Sequence, residues 1–243
     1  VTRQTHVAEH FRTAGTPVGH GYGQRNVDDG TAYYAFDAGE LRCVVIDTVN
    51  PHGGWQGSLD ETQFGWLDRE LTSCAVRPVV LFSHHPLETL VNDTRPPGAD
   101  RRILAEELRH LLLSHPCVIA WVNGHTHVHA VTPITEPDAS GGFWQVTTAS
   151  HIDWPQQARI IEFLRTETGL ALGCTVLDSA APARYAGTGS PDDLAALARE
   201  LAANDWQVRD LITADGGAGA GTAADRNVIL PVDWPRRPAP GRG

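Results

Sequence analysis

Between residues 41 and 127, apolar runs alternate with amphipathic stretches, and this pattern constrains the chain more than any other feature. "LRCVVIDT" (41–48) reads as a strand. "SLDETQFGWLDREL" follows as a helix, with Ser58 and Glu61 at capping-box spacing and Phe64, Leu67 and Leu71 along one face. "PVVLFSHH" is short and continuously apolar, as expected of a strand buried on both faces. Residues 101–114 line up Ile103, Leu104, Leu108, Leu111 and Leu112 on one helical stripe, and "CVIAWVNGHTH" is a second buried strand. The order β-α-β-α-β predicts parallel strands covered by helices, so the fold class is α/β. In such sheets ligands gather at the carboxyl ends of the strands. His84 and His125 both stand where a strand ends.

Upstream, "TAYYAFD" (31–37) reads as a further strand, joined through a turn at Gly39. Downstream the pattern changes to consecutive strands, "GFWQVTTAS" (142–150), "ARIIEFL" (158–164) and "LALGCTVLD" (170–178). A helix follows at "SPDDLAALARELAAND", with Ser190 as N-cap, Pro191 at the first helical position and Leu194, Leu197 and Leu201 on one face. The predicted organisation is an N-terminal loop or insert segment over 1–30, an α/β body over 31–180, a helical extension over 181–213 and a flexible Gly/Ala/Pro-rich tail over 214–243.

Five of the twelve histidines, His84, His85, His125, His127 and His129, fall in "LFSHHPLETL" and "WVNGHTHVHA". Histidines i and i+2 in "GHTH" point apart in an extended strand, but in the turn after a strand they can converge on one metal or straddle two. Neutral imidazole suits zinc, iron, manganese, nickel or copper. The alternative, a set of satisfied polar residues at strand ends, fits a lone histidine better than it fits His84, His125 and His127 together.

Composition narrows the partners. A net charge of −10 offers no basic surface to set against phosphate charge, so nucleic-acid binding is not expected. A phosphorylated small molecule remains open, because a metal can supply the positive charge. No apolar run approaches the ~20 residues that span a bilayer, and "VTRQTHVAEHF" has no signal-peptide core. Cys43, Cys74, Cys117 and Cys174 are widely spaced, which predicts buried free thiols. The 243 residues contain no methionine and begin with valine, as expected of a fragment, a processed product or a literally translated GTG start.

"VVLFSHHPL" followed by "VIAWVNGHTH" resembles the last two motifs, H-x-P and G-H-x-H, of the calcineurin-like metallophosphoesterases. The run "VVIDTVNPHGGWQGSLDETQFGWLDREL" is similar to the strand, loop and helix that precede H-x-P in that family. The flanks "GTPVGHGY", "GFWQVTTASHIDWPQQARIIEF" and "LARELAAND" resemble an actinobacterial-type branch with long inserts. The resemblance covers most of residues 15–210. It implies a four-layer α-β-β-α sandwich, with residues 31–180 as the C-terminal part of the domain and the N-terminal half lacking. It also implies hydrolysis of phosphate esters by a metal-activated water at a dinuclear site of manganese, iron or zinc, the two ions about 3.5–4 Å apart.

By the same resemblance, His84 and His125 are ligands of one metal and His127 of the other. His85 is a neighbour behind them. From their place in the chain, not from the resemblance, Asn123, His151, Asp153 and Arg159 read as surrounding the site or lining a substrate pocket. The family's earlier motifs, D-x-H, G-D-x-x-D and G-N-H, are absent from this chain. The bridging aspartate, the asparagine ligand and the general acid are therefore not identified here. The expectation is a C-terminal half that binds at most one metal, weakly, and associates through an exposed apolar sheet face. Full-length relatives imply export by a twin-arginine route.

Weaker readings attach to other residues. Asp47 suits a strand-to-loop junction, and Ser150 with Asp153 suits a turn. Arg159 either binds a phosphate oxygen or pairs with Glu162 or Asp153. His20 reads as a loop residue above the site, and His129 as a neighbour of His127. Two alternatives to the phosphoesterase stand: a non-catalytic module that binds a metal or a partner, and a mononuclear three-histidine zinc hydrolase.

Overall fold

The structure, a computed structural model, describes residues 2–138, 141–167, 169–182, 184–212, 217, 219–232 and 234. The chain divides into two compact units, Val1–Val122 with Thr135–Phe143, and Asn123–Ile134 with Trp144–Gly243.

The first unit opens with two short helices, α1 (Arg3–Glu9) and α2 (Gln24–Asp29), within the segment read from sequence as loop. β1 (Tyr34–Ala38) and β2 (Leu41–Val45) form an antiparallel hairpin, and Gly39 supplies the positive φ of 60° at its turn. β3 (Leu59–Asp60) leads into α3 (Glu61–Ser73), followed by β4 (Val79–Phe82), β5 (Arg102–Ile103), α4 (Ala105–Ser114) and β6 (Val118–Asn123). β2, β4 and β6 are parallel neighbours, so with β1 the sheet is mixed.

Burial follows the predicted patterns in this unit, whereas Leu194 and Leu201, read as part of an apolar helix face further along the chain, are exposed. Val79, Val80 and Leu81 of β4 and Ala120 and Trp121 of β6 are fully buried, as are Leu67 and Leu71 of α3 and Leu108 of α4. Two helix starts differ from expectation for one reason. Leu59–Asp60 pairs antiparallel with Arg102–Ile103, a contact across some forty residues that local periodicity does not encode. The cap of α3 is therefore Asp60, whose Oδ1 accepts from the Gln63 N–H at 2.8 Å, while Ser58 is buried and accepts from Arg102 Nε at 3.0 Å. With Arg102 and Ile103 in the ladder, α4 begins only at Ala105.

The second unit holds most of β7 (Ala130–Thr135) and β8 (Gly142–Thr147), with β9 (Ala158–Thr166), β10 (Gly169–Leu177), α5 (Pro191–Ala203) and β11 (Val228–Val232). β11, β10 and β9 form an antiparallel sheet in that order. Ser190 caps α5 through its Oγ, which accepts from the Asp193 N–H, with Pro191 at the first position as expected. The stretch read as a flexible tail lies partly outside the described residues. Within it, Val228–Val232 pairs with β10. Ile160, Leu164 and Ile229 of this sheet are exposed. All four cysteines are buried and none is in a disulfide. Among the described residues, no helix is long and apolar enough to cross a membrane.

Candidate metal centre

β4 ends at Phe82, which pairs with Val122 of β6, so the chain leaves both strands at the same edge of the sheet. The Ser83 N–H donates to the Val122 carbonyl at 3.1 Å. Ser83 Oγ donates to the His85 carbonyl at 2.8 Å and accepts from Trp121 Nε1 at 2.9 Å. These bonds fix the peptide that carries His84 and His85. The two rings stand edge to face, with centroids 4.7 Å apart. His84 is exposed and His85 is buried.

His85 is held from both sides. Its Nε2 lies 3.1 Å from the Trp55 carbonyl, which can only accept, so Nε2 carries the proton. Nδ1 then accepts from the Thr48 hydroxyl at 2.8 Å. Burial holds the imidazole below its usual pKa, so it stays neutral. The loop supplying these partners is tied down by Asn92, whose Nδ2 donates to the carbonyls of Gly53 (2.8 Å) and Gln56 (2.9 Å). Gly57 passes so close that a Cβ there would sit 2.7 Å from the His85 ring. Thr48, Trp55, Asn92 and Gly57 escaped the sequence reading, because each acts through tertiary contact and none belongs to a motif.

After β6 the turn Gly124–His127 places both "GHTH" histidines in the left-handed region, with φ of 66° at His125 and 57° at His127. Non-glycine residues seldom adopt this conformation, at a cost on the order of 1 kcal/mol or more each, and such residues concentrate at functional sites. The Thr126 N–H closes the turn onto the Gly124 carbonyl at 2.7 Å. His84, His85 and His125 form a group that could hold a metal ion: one ring nitrogen from each lies within 4.8 Å of the other two.

The remaining sequence candidates fall as follows. His127 Nδ1 pairs with Asp153 Oδ2 at 2.8 Å, both side chains about half exposed. Asn123 is buried, and its Oδ1 accepts from Thr147 Oγ1 at 2.7 Å while its Nδ2 has no hydrogen-bond partner among the described residues. His151 is exposed and, with Asp153, lines a cavity of about 590 Å³ along α5. Ser150 Oγ accepts from the N–H groups of Ile152 and Asp153, a turn role.

Arg159 pairs with neither Glu162 nor Asp153. It donates to the Asp225 carbonyl at 2.7 Å, the Arg226 carbonyl at 3.3 Å and His129 Nδ1 at 2.9 Å. Asp47 is a junction residue: its Oδ1 accepts from the Val49 N–H, and its Oδ2 meets Arg3 Nε at 2.5 Å. His20 lies against Thr13 Oγ1 at 2.9 Å.

His129 is 1% exposed, and burial, then the Arg159 charge, push its pKa down from 6.5 to about 4. Below pH 6.5 the unfolded chain takes up a proton there that the folded chain refuses. Stability from this group is therefore full above pH 6.5 and falls toward pH 4, by up to about 3 kcal/mol. An NMR titration of the His129 ring is expected to show a midpoint well under 5. A midpoint near 6.5 contradicts a neutral buried ring.

No protein-family model matches this chain, and no curated protein matches it. Among solved structures, the crystal structure of a dimetal phosphatase from Danio rerio is similar at 18% sequence identity and a TM-score of 0.47. The match covers 73% of this chain and 65% of that one, so this chain spans less than two thirds of the length of that protein.

Proposed function

We propose that the chain carries the strand-end metal centre of a metal-dependent phosphoesterase, a hydrolase acting on phosphorylated small molecules. The observation that carries this reading is the His84–His85–His125 group, its ring nitrogens within 4.8 Å of one another, beside strand ends. Imidazole donors at a sheet edge fit zinc, manganese or iron. When bound, such an ion supplies Lewis acidity toward phosphate oxygens and acidifies water.

His84 and His125 are the direct ligands in this reading. His85, with both ring nitrogens hydrogen-bonded, braces the peptide that carries His84. Asn123, buried and held by Thr147 through its Oδ1, is a neighbour of the ligands in this reading and not one of them. His127, oriented by Asp153, stands as the ligand of a second ion. The bridging carboxylate and general acid of a dinuclear centre match no motif in these 243 residues.

The expected behaviour is zinc-dependent binding of inorganic phosphate, with p-nitrophenyl phosphate turnover near the buffer rate. Calorimetry on zinc-loaded and chelator-treated chain tests this. Phosphate binding that ignores the metal, or no binding at all, rejects the reading.

A mononuclear three-histidine zinc site is the second reading, favoured by the number of imidazoles in the group. It requires His85 to release either the Thr48 hydroxyl or the Trp55 carbonyl, which makes it the costlier of the two.

A further inference from the structure

If phosphate binds at His84, the alcohol portion of the ester needs its own place to lie. A cavity of about 520 Å³ within the first unit has His84 in its wall, a size suited to a ring-sized group. Its guanidinium, Arg3, is already engaged with Asp47 (2.5 Å), Asp60 (3.1 Å) and the Val49 carbonyl (3.1 Å). The cavity therefore holds no free guanidinium for a second phosphate, and Asp47 is equally occupied and does not select a cation.

Most of the rest of the lining is apolar and aromatic, chiefly Val45, Ile46, Phe82 and Tyr22, and the hydroxyls of Thr2, Thr48 and Ser83 that also line it are already hydrogen-bonded to Thr5, His85 and Trp121. Two polar edges remain. The Tyr22 ring meets His6 edge to face at 6.3 Å and is backed by His10 at 5.1 Å and Tyr34 at 5.2 Å. Neither the Tyr22 hydroxyl nor the His6 ring nitrogens hydrogen-bond to any described residue. Burial raises the Tyr22 pKa, so its hydroxyl stays a donor. The walls suit a flat aromatic group with a hydrogen-bonding edge better than a polyol, which would bury hydroxyls against Val45, Ile46 and Phe82 without partners.

We propose that this cavity receives the aromatic group of aryl phosphomonoesters, which the chain binds in preference to other phosphate esters, with Tyr22 and His6 as the residues that select them. The inference rests on the phosphoesterase reading.

Calorimetric titration of the zinc-loaded full chain with phenyl phosphate, glycerol 1-phosphate and inorganic phosphate tests the inference. Phenyl phosphate is expected to bind about tenfold more tightly than either of the others. In Tyr22→Ala and in His6→Ala that ratio is expected to fall toward one. His6 is exposed on α1, so its variant guards against a folding defect in the Tyr22 one, and circular dichroism checks both. Phosphate binding without an aryl preference, or a preference unchanged in both variants, overturns the inference alone. Absence of zinc-dependent phosphate binding overturns the phosphoesterase reading and the inference with it.

Discussion

Replacing His84 by asparagine is expected to weaken zinc binding about 100-fold. Structural zinc sites are worth about 10–16 kcal/mol over four ligands, which leaves a few kcal/mol per imidazole. The same loss is expected for His125→Asn. Asparagine is chosen at 125 because the residue has a φ of 66°, a conformation asparagine tolerates and alanine does not. An alanine variant would mix backbone strain with the loss of the ligand. His110, exposed beside Glu106 on α4, gives a control whose asparagine variant should bind as the parent does. A competition titration against a chromogenic zinc chelator measures all three. Equal affinities across the set would place the ion elsewhere and remove the basis of the proposed function.

Trp121→Ala is expected to destabilise the first unit by about 3–5 kcal/mol, the range for deleting a large aromatic side chain from a core. Trp121 is fully buried, lies opposite Leu81 in the β4–β6 ladder and donates its indole N–H to Ser83. Trp121→Phe keeps much of the packing but removes the donor to the half-buried Ser83 hydroxyl, so a loss of about 0.5–1.5 kcal/mol is expected. Urea unfolding followed by far-ultraviolet circular dichroism separates the two, provided the slope with denaturant is shared. A loss under about 1 kcal/mol in the alanine variant would mean that the site collapses around the cavity.

Much of the first unit's architecture was legible because its signals are local. Continuous apolar runs marked β4 and β6, leucine spacing marked α3 and α4, and Ser190–Pro191 marked the start of α5. What escaped depends on partners distant in sequence. β3 and β5 are two residues each and exist only as a pair. β11 lies in a Gly/Ala-rich stretch and is a strand because β10 offers it an edge. α1 is seven residues long and is held by Arg3 on Asp47 and Asp60, a tie no periodicity reveals.

The candidate site divides in the same way. Histidines at strand ends could be read from the sequence. The left-handed turn at His125 and His127 could not, since histidine carries no signal for that conformation. The bracing of His85 by Thr48 and Trp55 was equally hidden.

The four buried thiols make the molecule its own reporter of opening. Cys43, Cys74 and Cys117 lie in the first unit and Cys174 in the second. A thiol reagent can reach them only through fluctuations that expose them, so labelling rates resolved by peptide mass read the opening free energy of each unit separately. Zinc, by linkage, should slow labelling in whichever unit must stay closed to keep the ion.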